Sequence, residues 1–179
     1  MRSLPRLMTL TLIVCAAACG GAASTDTTPA GGPEPAPKAK DVAPTPAKEP
    51  VLVPYVAIQE LLADDKITDL ATLAARVVTA SEALQDQRGI AEVIVGAGRV
   101  PSPDIETARV GFEKMSMGLI SYLKAHPAEQ EGYEVCFCPM AFNNKGAYWV
   151  QKKGEILNPY HGKMMLRCGD HVEWEKAPG

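Results

Sequence analysis

A break in composition at Pro50 constrains this chain more than any single motif. From Gly20 to Pro50 nearly every residue is Ala, Pro, Thr, Gly, Lys, Asp or Glu, and seven of the chain's fifteen prolines fall there. A stretch so poor in apolar side chains cannot bury a core, and repeated prolines favour an extended, polyproline-like spacer. A folded unit therefore has to be built from about residues 51–176, which is close to the commonest size for one domain and large enough to need no covalent staples. One core is expected, with the segment before it acting as a solvated tether.

The residues ahead of the tether read as an export signal. Arg2 and Arg6 form a short basic head, and Leu7, Met8, Leu10, Leu12, Ile13 and Val14 follow as an apolar run too short to span a bilayer as a mature helix. Ala16, Ala17 and Ala18 then lead into Cys19 and Gly20. Small residues before a cysteine are what a lipoprotein signal peptidase cleaves, so residues 1–18 are expected to be removed and Cys19 to be acylated. Cys15 fits less well because bulky Val14 precedes it, and Ala16 stands where a typical lipobox has Leu, which keeps plain secretion open as an alternative. Gly20 rather than Asp after the acylated cysteine favours sorting to the outer membrane of a Gram-negative cell, with the domain facing the periplasm. The membrane would then be met through the lipid anchor alone, from residues 19–50.

Net charge is −3 and no segment clusters Lys or Arg, so nucleic-acid binding is not expected. The sequence offers no Ser/His/Asp set and no spaced acid pair with a plausible pocket, and no catalysis is expected.

Within 51–176 roughly the first three fifths carry helical periodicity. Tyr55, Ile58, Leu61 and Leu62 fall at helical spacing, and the pattern stops at Asp64 and Asp65. Thr68 is expected to cap a second helix whose stripe is Leu70, Leu73, Val77, Ala80 and Leu84. Ile90 to Val95, between glycines, predicts a short helix. Ser102-Pro103-Asp104 predicts the start of a long helix capped by Ser102, with Ile105, Ala108, Phe112, Met115, Leu119 and Tyr122 as its buried stripe and an end before Pro127. Met115 is thereby assigned to the core, Met117 lies off the stripe, and His126 is expected as a helix-end cation. After Glu131 periodicity gives way to aromatics, glycines and sulfur. Tyr148 to Val150 looks like a strand and Lys152 to Glu155 like a turn around Gly154, which suggests a small hairpin. The fold class expected is mainly α: a small helical bundle with a C-terminal, loop-rich cap that carries a short β-hairpin.

Chemistry concentrates in residues 131–173. Beyond the leader three cysteines remain, Cys136, Cys138 and Cys168, an odd number in an exported and therefore oxidising setting. Cys136, Cys138 and Met140 lie two apart, so an extended backbone would place them on one face, and His161, Met164, Met165 and Cys168 follow as a second group. Thiolates and thioethers select Cu(I) or Ag(I), and imidazole suits copper or zinc. The competing account is a Cys138 to Cys168 disulfide with the methionines as gap-filling core residues. Paired C-x-x-C spacing is missing, which argues against a zinc finger, and one residue rather than two separates Cys136 from Cys138, which argues against a thioredoxin-like site.

The string Cys138-Pro139-Met140-Ala141-Phe142, then Asn144-Lys145-Gly146-Ala147-Tyr148-Trp149, Asn158-Pro159-Tyr160, Gly162 and Met165-Leu166-Arg167-Cys168-Gly169 resembles a bacterial domain-of-unknown-function family. That family occurs at the C-terminus of copper- and silver-type heavy-metal efflux periplasmic adaptors and as stand-alone exported proteins. The resemblance spans roughly 51–173, its helices in pattern only. It implies a helical domain whose C-terminal loops bring Cys138, Met140, Met165 and Cys168 together around Cu(I) or Ag(I). This chain departs from the pattern at Cys136, an extra thiol, and at His161, where phenylalanine is expected, and both add possible ligands. The implied role is an accessory to metal efflux or homeostasis, with an efflux or copper-maturation protein as partner. The alternative is a disulfide-locked structural or protein-docking domain without metal.

Overall fold

The computed structural model describes residues 49–179. The leader, Cys19 and all but the end of the tether lie outside the described residues. What is described is mainly α-helical, with a small three-stranded antiparallel sheet near the C-terminus.

Helix α1, Leu52–Ala63, buries residues around much of its circumference, including Leu52, Tyr55, Val56, Ile58 and Leu62. It is therefore an interior helix. Helix α2, Leu70–Ser81, buries the stripe Leu70, Leu73, Ala74, Val77 and Ala80 and leaves its other face to solvent. Its N-cap is Asp69 rather than Thr68, and Asp69 sits at φ 66° with no side-chain capping bond. The chain turns there through two left-handed residues, Asp65 and Asp69, so Thr68 is not at the helix threshold.

Helix α3, Ile90–Ala97, is the short helix between glycines, and it packs most extensively on α4, Ile105–Ala125. The glycines explain the closeness. A Cβ on Gly118 would stand 2.4 Å from the Gly89 carbonyl oxygen, and one on Gly96 would stand 2.4 Å from the Met115 backbone nitrogen. The two backbones touch where side chains would otherwise hold them apart. The cap of α4 is Asp104, not Ser102: the Asp104 carboxylate accepts from the Thr107 amide at 2.9 Å, while the Ser102 hydroxyl accepts from the Asp104 amide at 3.1 Å. Ser102 thus orders the turn before the helix and the stronger acceptor caps it. Phe112, Met115, Leu119, Ile120 and Leu123 of α4 are fully buried.

The strands are β1, Tyr133–Cys138; β2, Ala147–Lys152; and β3, Asp170–Val172, in the order β2-β1-β3. The hairpin is formed by β1 with β2 across residues 139–146, not around Gly154 as the turn composition suggested. Between them Phe142, Asn143 and Asn144 all adopt positive φ, 51°, 59° and 65°, before Gly146 at 79°. Three consecutive side-chain-bearing residues in the left-handed region are intrinsically costly, and local bonds from the Asn144, Lys145 and Gly146 amides to the Met140 and Ala141 carbonyls offset that. Strand β2 does not present a bare edge. Its Val150 amide donates to the Tyr55 hydroxyl at 3.1 Å, and Tyr160 donates to the Tyr148 carbonyl at 2.5 Å. Tyr55 in turn pairs with Ser116 at 2.7 Å and stacks on Phe112 at 4.9 Å, which fastens the sheet to α1 and α4.

Candidate metal centre

Alternation along β1 places Glu134, Cys136 and Cys138 on one face of the sheet. The register sets Trp149 of β2 and His171 of β3 on either side of Cys136, with Gln151 beside Glu134 and Ala147 beside Cys138. Cys136, Cys138 and Trp149 are fully buried.

Cys138 is met by a residue thirty positions away: its Sγ lies 3.4 Å from Cys168 Sγ, and neither forms a disulfide. The Cys168 loop is held in place by Asn158, itself fully buried. Its Nδ2 donates to the Cys168 carbonyl at 2.7 Å, while its Oδ1 accepts from the amides of Tyr160 at 2.8 Å and His161 at 3.2 Å. Gly169, at φ 145°, follows directly, and a Cβ there would lie 2.9 Å from the Trp149 ring and 3.0 Å from the Phe137 carbonyl oxygen. Only a residue without a side chain lets the loop lie so close to the sheet.

Cys136 is met by different groups. Its Sγ is 3.9 Å from His171 Nδ1, which lies 3.1 Å from Glu134 Oε2. Glu134, Cys136 and His171 each offer a ligand atom, all within 4.8 Å of one another, and the group can hold a metal ion. Burial, and after it the Glu134 charge, push the Cys136 thiol up to about 12. Cys168 is also raised, by burial first and then by its contact with Cys138. Cys136 and Cys168 are therefore protonated near neutral pH in the metal-free protein, and a bound cation would displace those protons.

The other sulfur and imidazole groups singled out in the sequence differ widely in burial. Met140 follows β1 and is 45% exposed, Met164 is 80% exposed, and Met165 is half-buried in the 3-10 turn Gly162–Met165. His161 belongs to another locality, lining a cavity of about 350 Å³ with Glu106, Arg109, Tyr160 and Met164. Its Nε2 is buried without a hydrogen-bond partner. Arg109, buried on that wall, bonds the carbonyls of Pro159 (2.8 Å) and Leu62 (3.3 Å) and the carboxylates of Asp65 (2.7 Å) and Glu106 (2.6 Å). It is a structural tie between α1, α4 and the loop. Met115 is fully buried in α4, as its stripe requires, while His126 at the helix end stacks on Tyr122 at 4.3 Å.

Three participants escaped the sequence analysis. Glu134 was recoverable, because it lies two residues before Cys136 in a segment already treated as extended. His171 and Asn158 were not, since only the β3 register and the loop closure bring them in. Comparison of the chain with protein-family models, with curated proteins and with solved structures returned no match.

Proposed function

We propose that this protein is an exported, lipid-anchored binder of a soft metal ion, Cu(I) or Ag(I), serving as an accessory to metal efflux or homeostasis. In this proposal Leu52–Ala125 forms a helical bundle and the segment after Glu131 is a cap that carries the metal. The observation that supports it best is the 3.4 Å approach of Cys138 Sγ to Cys168 Sγ. Two sulfurs sharing one tetrahedral ion at about 2.3 Å stand about 3.8 Å apart. The pair needs to open by only a few tenths of an ångström to take an ion between them. Paired thiolates select soft cations. Met140, two residues after Cys138, and Met165, three before Cys168, are the thioethers nearest in sequence, and His161 is a more remote addition. Among the described residues no helix is long and apolar enough to cross a membrane, and anchoring is assigned to Cys19. The partner would be an efflux or copper-maturation protein able to take the ion.

The same short approach favours one other reading, a Cys138 to Cys168 disulfide that locks a docking domain. Anaerobic Cu(I) titration of the reduced chain from residue 19 onward, carrying Cys19→Ser and competed by a chromophoric chelator, separates the two. One equivalent of Cu(I), lost in Cys138→Ser/Cys168→Ser, is expected. A single free thiol among Cys136, Cys138 and Cys168 in protein isolated from cells, with no Cu(I) uptake after reduction, would replace metal binding by the disulfide.

A further inference from the structure

The geometry points to a second metal site beside the thiol pair, in which Glu134 Oε2, Cys136 Sγ and His171 Nδ1 hold a borderline divalent cation of the Zn²⁺ type, with water in the fourth position. This site does not rest on the Cu(I) proposal, and it takes Cys136 out of the soft-metal set.

The donors are nearly in place. His171 Nδ1 lies 3.1 Å from Glu134 Oε2 and 3.9 Å from Cys136 Sγ, and no pair of the three ligand atoms exceeds 4.8 Å. Bonds of 2.0–2.3 Å in a tetrahedral site put ligand atoms about 3.3–3.8 Å apart. The cluster has to adjust by about an ångström at most. Its frame is stiff, because two donors come from the central strand and the third from the residue paired with Cys136 on β3.

The carboxylate is oriented as a ligating carboxylate is. Glu134 Oε1 accepts from Gln151 Nε2 at 3.0 Å and from the Gly154 amide at 3.1 Å, which leaves Oε2 turned to the cluster. Gln151 is itself fixed: its Oε1 accepts from Trp149 Nε1 at 3.0 Å and from the Leu157 amide at 3.1 Å. Such outer hydrogen bonds set the direction and basicity of metal ligands. A simple surface ion pair between His171 and Glu134 does not call for a buried Trp-Gln-Glu relay behind it.

Donor chemistry and access agree. One thiolate, one imidazole and one carboxylate form a mixed S/N/O set that suits Zn²⁺, whereas Cu(I) favours sulfur. Carboxylate and thiolate together carry the two negative charges that neutralise a divalent ion at a partly buried position. Cys136 closes the inner side of the cluster, while the His171 side chain is 52% exposed, so the open side faces solvent and water can bind there. Cys136 and Cys138 lie two residues apart on one strand face, a separation of roughly 6.6 Å along the strand, too far for their Sγ atoms to be interchangeable ligands of one small ion without bending β1.

The test uses Zn²⁺ and its spectroscopic substitute Co²⁺ on the chain from residue 19 carrying Cys19→Ser and Cys138→Ser/Cys168→Ser, so that Cys136 is its only remaining thiol. Expected are one equivalent of Co²⁺, a thiolate-to-metal charge-transfer band displaced by Zn²⁺, and loss of that band in Cys136→Ser. His171→Gln and Glu134→Gln should weaken Zn²⁺ binding at least about tenfold, and Gln151→Ala about ten- to a hundredfold. Exposed His171 makes His171→Gln a variant that keeps the fold, verified by circular dichroism. A folded protein that binds no Co²⁺, or binds it without a thiolate band, overturns the site, as does His171→Gln binding with parental affinity. Cu(I) titration of His171→Gln keeps the two proposals apart, because the Cys138 and Cys168 pair should take up Cu(I) there unchanged.

Discussion

Asn158→Ala should damage the domain more than any surface change and should do so through the thiol pair. The Asn158 side chain is completely buried and makes three hydrogen bonds to backbone, at 2.7, 2.8 and 3.2 Å. Truncation leaves the Cys168 carbonyl and the amides of Tyr160 and His161 without those partners. A buried polar group stranded in this way costs about 1–3 kcal/mol, and water can reach part of a loop, so roughly 3 kcal/mol in total is expected. With a urea m-value of roughly 2 kcal/mol/M, the midpoint should fall by about 1.5 M. The same substitution frees the Cys168 loop, so oxidation of the reduced Cys138 and Cys168 pair by a mild disulfide reagent should slow. Asn158→Asp separates the two effects. It keeps an acceptor for the Tyr160 and His161 amides but sets an oxygen against the Cys168 carbonyl, so stability should recover in part while thiol pairing stays impaired. A midpoint within about 0.3 M of the parent for Asn158→Ala, with unchanged thiol oxidation, would refute the argument that Asn158 builds the site.

Gly118→Ala drives a Cβ to 2.4 Å from the Gly89 carbonyl oxygen and 2.7 Å from Glu92 Cβ, and should lower stability in urea by about 1–3 kcal/mol. Gly98→Ala meets nothing nearer than 3.6 Å and should not. The double variant Met140→Leu/Met165→Leu nearly conserves volume, so each change should cost under about 1.5 kcal/mol while Cu(I) affinity falls; Met115→Leu, inside the α4 core, should leave Cu(I) affinity untouched. In metal-free Cys138→Ser/Cys168→Ser protein, alkylation of Cys136 should stay slow well above the ordinary thiol range near 9, because its folded value is about 12. The sign for stability follows: between those values the unfolded chain releases a proton that the folded chain keeps, so this group favours unfolding as pH rises from about 9 to 12. Glu134→Gln removes one cause of the shift and should speed alkylation at a given pH.

The helical part of the fold was written in local patterns, and the errors are local too. The stripe from Ile105 to Tyr122 identified α4 and its buried Met115 because one face repeats for five turns and nothing else competes. Caps were misplaced by one or two residues, at Thr68 and Ser102, because several acceptors crowd each threshold and backbone geometry picks among them. The closeness of α3 and α4 rests on glycines whose reason lies outside their own helix. Gly96 and Gly118 lower helix propensity, yet each stands where the partner backbone leaves no room for a Cβ. Propensity is a property of one helix, and the reason for these residues lies on the other.

The candidate centre was legible on one strand and no further. Alternation from Glu134 to Cys138 gives three donors in a row, and that much follows from an extended backbone. What each cysteine meets depends on a segment thirty or more residues away. Strand β3 pairs only with Val135, Cys136 and Phe137, so it delivers His171 to Cys136 and stops short of Cys138. The chain entering β3 then has to pass Cys138, and Gly169 lets it run against Trp149 and the Phe137 carbonyl so that Cys168 arrives there. Sulfur spacing alone had grouped Cys136 with Cys138. A three-residue partner strand divides them, giving one cysteine a mixed neighbourhood of carboxylate and imidazole and the other a second thiol. Two sites of different softness can therefore arise from positions two residues apart on one strand.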